Sequence, residues 1–420
     1  MTKYNTTTLP NGLRIIHLPS TSPVVYCGIG INAGTRQETV GEEGVAHFCE
    51  HVTFKGTRHR SAIQILNCLE RVGGDLNAFT NKEDTIFYAA ILKEHLPKAV
   101  DLLTDIVFCS EYPEQEIAHE VDVICDEIES YNDSPAELIY DEFENKVFSG
   151  HPLGHNILGT RERVLSFTSA HARRFTHRYY RPDNAVFFAY GDVDFERLVK
   201  VLGGKEQGAG GKRNVGEQEL SSCPSPLASC PSPLAPCPSP LAPCPSTSHH
   251  QSHVMLGSRT FGYDDERRLP LYLLNNMLGG PGMNARLNLS LCERHGLVYT
   301  VESAMASYSD TGCWSVYFGC DHHDVKRCMR LVRHELDRMM QHPLNERQLT
   351  AAKRQLKGQI AIACDNREQY ALDFAKNFLH YGQERDIDEL LQRIDAITAP
   401  QIQDVAQYVF APDRIETLIL

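Results

Sequence analysis

The sequence predicts an α+β chain of two related domains, each a mixed or antiparallel sheet packed with helices. Three observations carry this reading. The 420 residues exceed the roughly 250–300 at which a single core stops growing. A low-complexity stretch at 203–252 divides the chain, which sets domains at 1–202 and 253–420. The order strand, turn, strand, helix occurs in both parts, at 76–108 and again at 298–340.

Each element follows from its local pattern. Strands around Thr8–Leu18 and Val24–Ala33 lead into an apolar helix over 45–55. Neither Gly nor Pro interrupts that helix, and Gly56 supplies its stop. A helix at Ala62–Val72 ends at Gly73-Gly74, followed by strands Leu76–Thr80 and Thr85–Leu92 and helix Leu96–Phe108. Pro113 to Tyr131 reads as a helix, with Pro113 in the first turn, where its missing N–H costs nothing. Ile117, Val121, Ile124, Ile128 and Tyr131 recur at i, i+4, i+7, i+11 and i+14, which defines a buried stripe. In the second half a helix at Pro270–Leu278 ends at Gly279-Gly280 and another spans Arg286–His295. Strands Val298–Ser307 and Gly312–Gly319 and helix Asp324–Met340 follow.

Between the halves, Cys-Pro-Ser-Pro-Leu-Ala repeats with a period of seven, placing Cys223, Cys230, Cys237 and Cys244. Every one of these cysteines precedes Pro, and the spacing fits no zinc knuckle. Proline-rich repeats favour extended polyproline II, so the segment reads as a semi-rigid spacer. Gly203 to Gly211 before it and His249-His250-Gln251-Ser252-His253 after it extend the linker.

Composition excludes several classes. A net charge of −13 argues against nucleic-acid or anionic-membrane partners, which want a basic surface. No uninterrupted apolar stretch of about 18 residues suggests a membrane span. Met1-Thr2-Lys3-Tyr4-Asn5 runs directly into strand-like sequence, without the pattern of a targeting leader. Ten of the 14 cysteines are scattered singly through predicted elements, as free thiols are in a reducing, cytoplasmic compartment.

The chemistry lies in His47-Phe48-Cys49-Glu50-His51. This is the His-x-x-Glu-His arrangement, the inverse of the His-Glu-x-x-His zinc helix. At about 100° per residue, His47, Glu50 and His51 fall on one helical face. Two imidazoles one turn apart grip one Zn²⁺, with a carboxylate beside them to take a proton from water. Cys49 points roughly 200° from His47 and reads as a small core residue. A catalytic zinc takes three protein ligands and keeps one position open, so a third ligand has to come from elsewhere. On the 113–131 helix, Asp126 lies opposite the buried stripe, whereas Glu120 and Glu127 lie only about 60–80° from its centre, on one flank. Carboxylates there are costly unless paired or metal-bound, which makes Glu127 the candidate ligand and Glu120 a supporting or alternative acid.

Together these residues resemble the pitrilysin-type zinc peptidases, the group containing insulin-degrading enzyme and the mitochondrial processing peptidase. Glu127 and Glu120 match that family's glutamate ligand and its accessory glutamate seven residues earlier. Asn11-Gly12-Leu13, Asn32-Ala33-Gly34-Thr35-Arg36, Phe54-Lys55-Gly56-Thr57 and Gly73-Gly74-Asp75-Leu76-Asn77-Ala78 match too, as do Gly191-Asp192-Val193 and Gly296-Leu297-Val298-Tyr299. The resemblance implies two halves closing like a clam around a chamber that takes short or unfolded peptides. It implies zinc as cofactor, Glu50 as base, Asn77 and Ala78 on a strand edge that binds peptide main chain, Tyr299 as a substrate contact, and a homodimer. One departure stands out: the family commonly places Arg seven residues before that tyrosine, and here the residue is Cys292. Two alternatives follow from the same resemblance, a catalytically weak or inactive partner subunit and a presequence-processing subunit.

Overall fold

The computed structural model describes residues 4–204 and 251–420. The strands are β1 (Asn5–Thr8), β2 (Arg14–Pro19), β3 (Val24–Ile31), β4 (Asp75–Thr80), β5 (Thr85–Leu92), β6 (Ala185–Gly191), β7 (Ser252–Thr260), β8 (Val298–Ser307), β9 (Gly312–Cys320) and β10 (Glu416–Ile419). The helices of the first half are α1 (Val45–Thr53), α2 (Ala62–Glu70), α3 (Leu96–Phe108), α4 (Glu114–Asn132), α5 (Pro135–Val147), α6 (Arg161–Val164), α7 (Ser169–Tyr179) and α8 (Phe195–Gly204). Those of the second are α9 (Arg268–Gly279), α10 (Val325–Gln341), α11 (Glu346–Ala363), α12 (Arg367–Tyr381), α13 (Ile387–Ala396) and α14 (Ala399–Val409).

The expected α+β architecture is present. The first sheet runs β1-β2-β6-β3-β5-β4 and is antiparallel except where β2 and β6 pair in parallel. The second, β10-β7-β9-β8, is antiparallel throughout. Within β6, Val186 and Phe188 are as fully buried as Phe187 and Ala189 on the opposite face. A strand buried on both faces needs a layer on each, and the two halves supply one another's second layer. From the second half, α12 sets Tyr370, Phe374 and Phe378 against Ile16, Ile86, Val186 and Phe188. From the first, α5 sets Ile139 and Phe143 against Met255 and Cys313. Each domain is therefore completed by a helix of the other.

Two hairpin turns strengthen that junction. Arg36 forks onto Asp310 at 2.8 and 2.5 Å and reaches Glu83 at 2.6 Å. The Glu83 carboxylate also accepts from the Ser309 amide and hydroxyl at 3.0 and 2.7 Å. Glu83 and Asp84 form the β4–β5 turn, while Ser309 and Asp310 form the β8–β9 turn. On α12, His380 and Lys376 face Asp84 at 3.1 and 3.8 Å.

Several sequence expectations need correction. The strand around Thr8–Leu18 is a hairpin, because Gly12 takes φ +91° and turns the chain back, pairing β1 with β2. Pro113 caps α4 from an extended conformation and is not in the first helical turn. The helix expected at Arg286–His295 is wide-wound over Asn288–Glu293, and 294–295 form a turn ahead of Gly296 at φ +60°. α8 extends through Gly204 and β7 begins at Ser252, while the Cys-Pro-Ser-Pro-Leu-Ala repeat lies outside the described residues. No disulfide engages the ten described cysteines. Among the described residues no helix is long and apolar enough to cross a membrane.

Candidate metal centre and active site

α1 is set by its buried side and by its start. Val45, Ala46, Phe48, Cys49 and Val52 are all within 1% of full burial in the first core, which turns His47, Glu50 and His51 to the remaining face. Gly44 starts the helix at φ +92°, and a Cβ there would lie 2.7 Å from the Leu158 carbonyl oxygen. The first N–H groups of a helix lack intrahelical partners, and here Glu38 accepts from the amides of Gly44 and Ala46 at 2.9 and 2.8 Å. His155 Nε2 contacts the same carboxylate at 2.9 Å. Burial nonetheless holds the Glu38 carboxyl above its ordinary range. Sequence reasoning missed Glu38, since nothing local marks a carboxylate six residues ahead of a helix start.

The structure brings His47, His51 and Glu127 together. The two Nε2 atoms are 3.2 Å apart. Glu127 Oε1 lies 3.8 Å from His47 Nε2, and Glu127 Oε2 lies 3.4 Å from His51 Nε2. A tetrahedral ion with ligands at about 2.0–2.1 Å sets neighbouring donors roughly 3.3 Å apart, so the spacings between these donor atoms are already close to the edge length of such a tetrahedron. Burial, then the neighbouring His51, brings the His47 imidazole down to about 4. Burial also opposes charge on His51, but hydrogen bonds with Glu120 and Glu127 carry it up to about 9. Glu127 is depressed, first by its hydrogen bond with His51.

Glu120 stands behind the pair. Its Oε1 accepts from His51 Nδ1 at 3.0 Å, and its Oε2 meets Lys55 Nζ at 2.5 Å. Carboxylates in this position fix the tautomer and orientation of a ligating imidazole. Lys55, one turn beyond His51, was not singled out in the sequence as part of the site.

Glu50 is held from the other direction. Its Oε2 accepts from Thr80 Oγ1 at 2.6 Å. Burial raises the Glu50 carboxyl above its usual range, while the Thr80 hydrogen bond acts the opposite way. Thr80 ends β4, which is the edge strand of its sheet and pairs only with β5. Asn77 and Ala78 lie on that edge strand. Tyr299 stands apart from these residues at the start of β8, 93% exposed. Cys292 packs half-buried against the second core, and burial raises its thiol.

Two other groups of candidate donors occur among the described residues, His59/Asp105/Cys109 and Asp321/His323/Asp324. In the first, Asp105 is already engaged by His59, Thr57 and Arg60. The second is largely exposed and contains a single imidazole. Neither pairs two imidazoles with a carboxylate.

Residues 14–161 match the family described as Insulinase (Peptidase family M16), and residues 166–356 match the Peptidase M16 inactive domain. The chain belongs to this insulinase family of peptidases. It is 34% identical over 405 residues to an uncharacterized zinc protease of Streptomyces coelicolor, covering 96% of this chain and 86% of that protein. An uncharacterized zinc protease of Bacillus subtilis is 30% identical over 416 residues, with 98% and 97% covered. The fold is shared with a protease from Helicobacter pylori at TM-score 0.85 and 20% identity, with both chains fully covered. It is shared also with a peptidase M16 inactive domain from Pseudomonas fluorescens at TM-score 0.82 and 17% identity, with 99% and 97% covered.

Proposed function

We propose that the protein is a zinc-dependent endopeptidase that hydrolyses short or unfolded peptides, with His47, His51 and Glu127 as the metal ligands. The observation that carries this is the convergence of two imidazole nitrogens and a distant carboxylate at 3.2–3.8 Å, beside the half-buried carboxylate of Glu50, which is not one of the three. Zinc held there supplies a Lewis acid that activates water and polarises the scissile carbonyl.

The chain's own residues do the rest. Glu50 takes the proton from the attacking water and delivers it to the departing amine, so the carboxylate returns to its starting state. Its elevated pKa suits both transfers. Glu120 positions His51 and is not itself a proton donor, since both its oxygens are engaged. Peptide main chain pairs with the free edge of β4 at Asn77 and Ala78, a mode that tolerates many side chains. Tyr299 approaches substrate from the second half.

The test is mass-spectrometric profiling of cleavage products from a diverse peptide mixture, run beside Glu50→Gln and beside wild-type protein with chelator. Products that vanish in both controls support the reading. Products that persist in both, or no products from zinc-loaded protein, overturn it. An inactive partner subunit would give the second result, and a processing subunit would cleave Arg-containing presequences in preference to the mixture.

A further inference from the structure

We infer that Thr80 is a positioning residue for Glu50, and that through it the strand receiving the peptide also aims the general base. The inference rests on the peptidase reading above, since it assigns a role within that reaction.

Four observations converge on it. Thr80 Oγ1 donates to Glu50 Oε2 at 2.6 Å, and Thr80 is 8% exposed. Side chains alternate along a strand, and on β4 it is Leu76 and Ala78 that pack into the core containing α1. Thr80 shares that face, so its hydroxyl points at the metal helix because of strand register. The Thr80 side chain is also packed from the paired strand. Thr85, fully buried on the paired strand, donates to the Ala33 carbonyl at 3.0 Å and lies 3.5 Å from Thr80 Oγ1. The chain beyond Thr80 is also fixed, because the next turn carries Glu83, clasped by Arg36 and Ser309.

A glutamate side chain has three rotatable bonds, and a carboxylate beside His51 and one turn from His47 has many useless orientations. One short hydrogen bond to one oxygen removes most of them and leaves the other oxygen for water. The donor is two residues from Ala78 on the same edge strand. Pairing of peptide main chain with that edge therefore stiffens the element that orients the base, and seating of substrate and alignment of Glu50 become one event. Geometry of this kind matters in proportion to its precision: misplacement by about 1 Å costs on the order of 10²-fold in rate.

The test uses the full chain, loaded with zinc, and the quenched fluorogenic peptide that the wild type cleaves fastest. Thr80→Val keeps shape and removes the donor, while Thr80→Ser keeps the donor. We expect Thr80→Val to lower kcat by roughly 10- to 100-fold with KM and zinc content unchanged, and Thr80→Ser to restore kcat to within a few-fold of wild type. Unchanged kcat in Thr80→Val overturns the inference. So does loss of zinc or of folded protein in Thr80→Val together with failure of Thr80→Ser to rescue, which marks a merely structural threonine. The control Glu50→Gln separates the two failures: if it stays active the peptidase reading itself falls, whereas if it is inactive and Thr80→Val is not, only the role of Thr80 is lost.

Discussion

Glu127 Oε2 stands 3.4 Å from His51 Nε2, although the two residues belong to different helices with two strands and two further helices between them in the chain. That separation is what makes the contact informative, because no local propensity requires it. Glu50, between the histidines, joins neither pair and instead accepts from Thr80.

Replacing Glu50 by Gln preserves side-chain volume and leaves the three donor residues untouched. Turnover of a quenched peptide should fall by roughly 10²- to 10⁴-fold, the usual worth of general base catalysis. Zinc content measured by atomic emission should not change.

Lys55→Ala removes the cation that holds Glu120 against His51. Loss of such an outer partner typically weakens metal affinity about 10- to 100-fold. Competition with a chromophoric chelator should show that drop for Lys55→Ala and for Glu120→Ala, with no further loss when the two are combined.

Asp84 ties the β4–β5 turn to α12. Burial raises its pKa, but the hydrogen bond from His380, the Lys376 charge and the bond from Asn81 outweigh that, and the net position is below the ordinary value. A carboxylate depressed in the folded state adds stability above its unfolded value of about 3.9 and loses it as pH falls through the folded value. Urea midpoints should therefore drop steeply below about pH 4 in wild type. The acid limb should be shallower in Asp84→Asn, which has no proton left to take up there.

Phe374 is fully buried between α12 and the first sheet, with Phe188 and Tyr190 as ring neighbours. Truncating such a ring typically costs about 3–5 kcal/mol. Because the helix belongs to the other half, Phe374→Ala should destabilise the first domain from a distance in sequence. Hydrogen exchange should report it as faster opening in β3 and β6.

How much of this was legible in the sequence divides along the range of the interactions. Strand Thr85–Leu92 and helix Leu96–Phe108 have the bounds their patterns predicted, since periodicity and Gly or Pro boundaries are local. His47, Glu50 and His51 share a face by helical geometry alone. The exchange of α5 and α12 was not legible, because an amphipathic helix shows that it has an apolar side and never which sheet covers it. The insertion of β6 between β2 and β3 is likewise a pairing over more than 150 residues, with no signature in either strand. Thr80 was visible as the end of a strand, but its aim at Glu50 depends on the register of β4 against β5 and on the approach of α1. Lys55 and Glu38 escaped for a related reason, as each acts on a partner that only the fold brings near.

Every role assigned above depends on one cation shared by two imidazoles and a carboxylate from separate helices, and zinc-edge X-ray absorption on the full chain reads that shell itself. One zinc per chain is expected, in a nitrogen and oxygen shell containing two imidazoles, lost in His51→Ala and in Glu127→Ala. A shell containing sulfur, or zinc retained at full occupancy when Glu127 is removed, would contradict it.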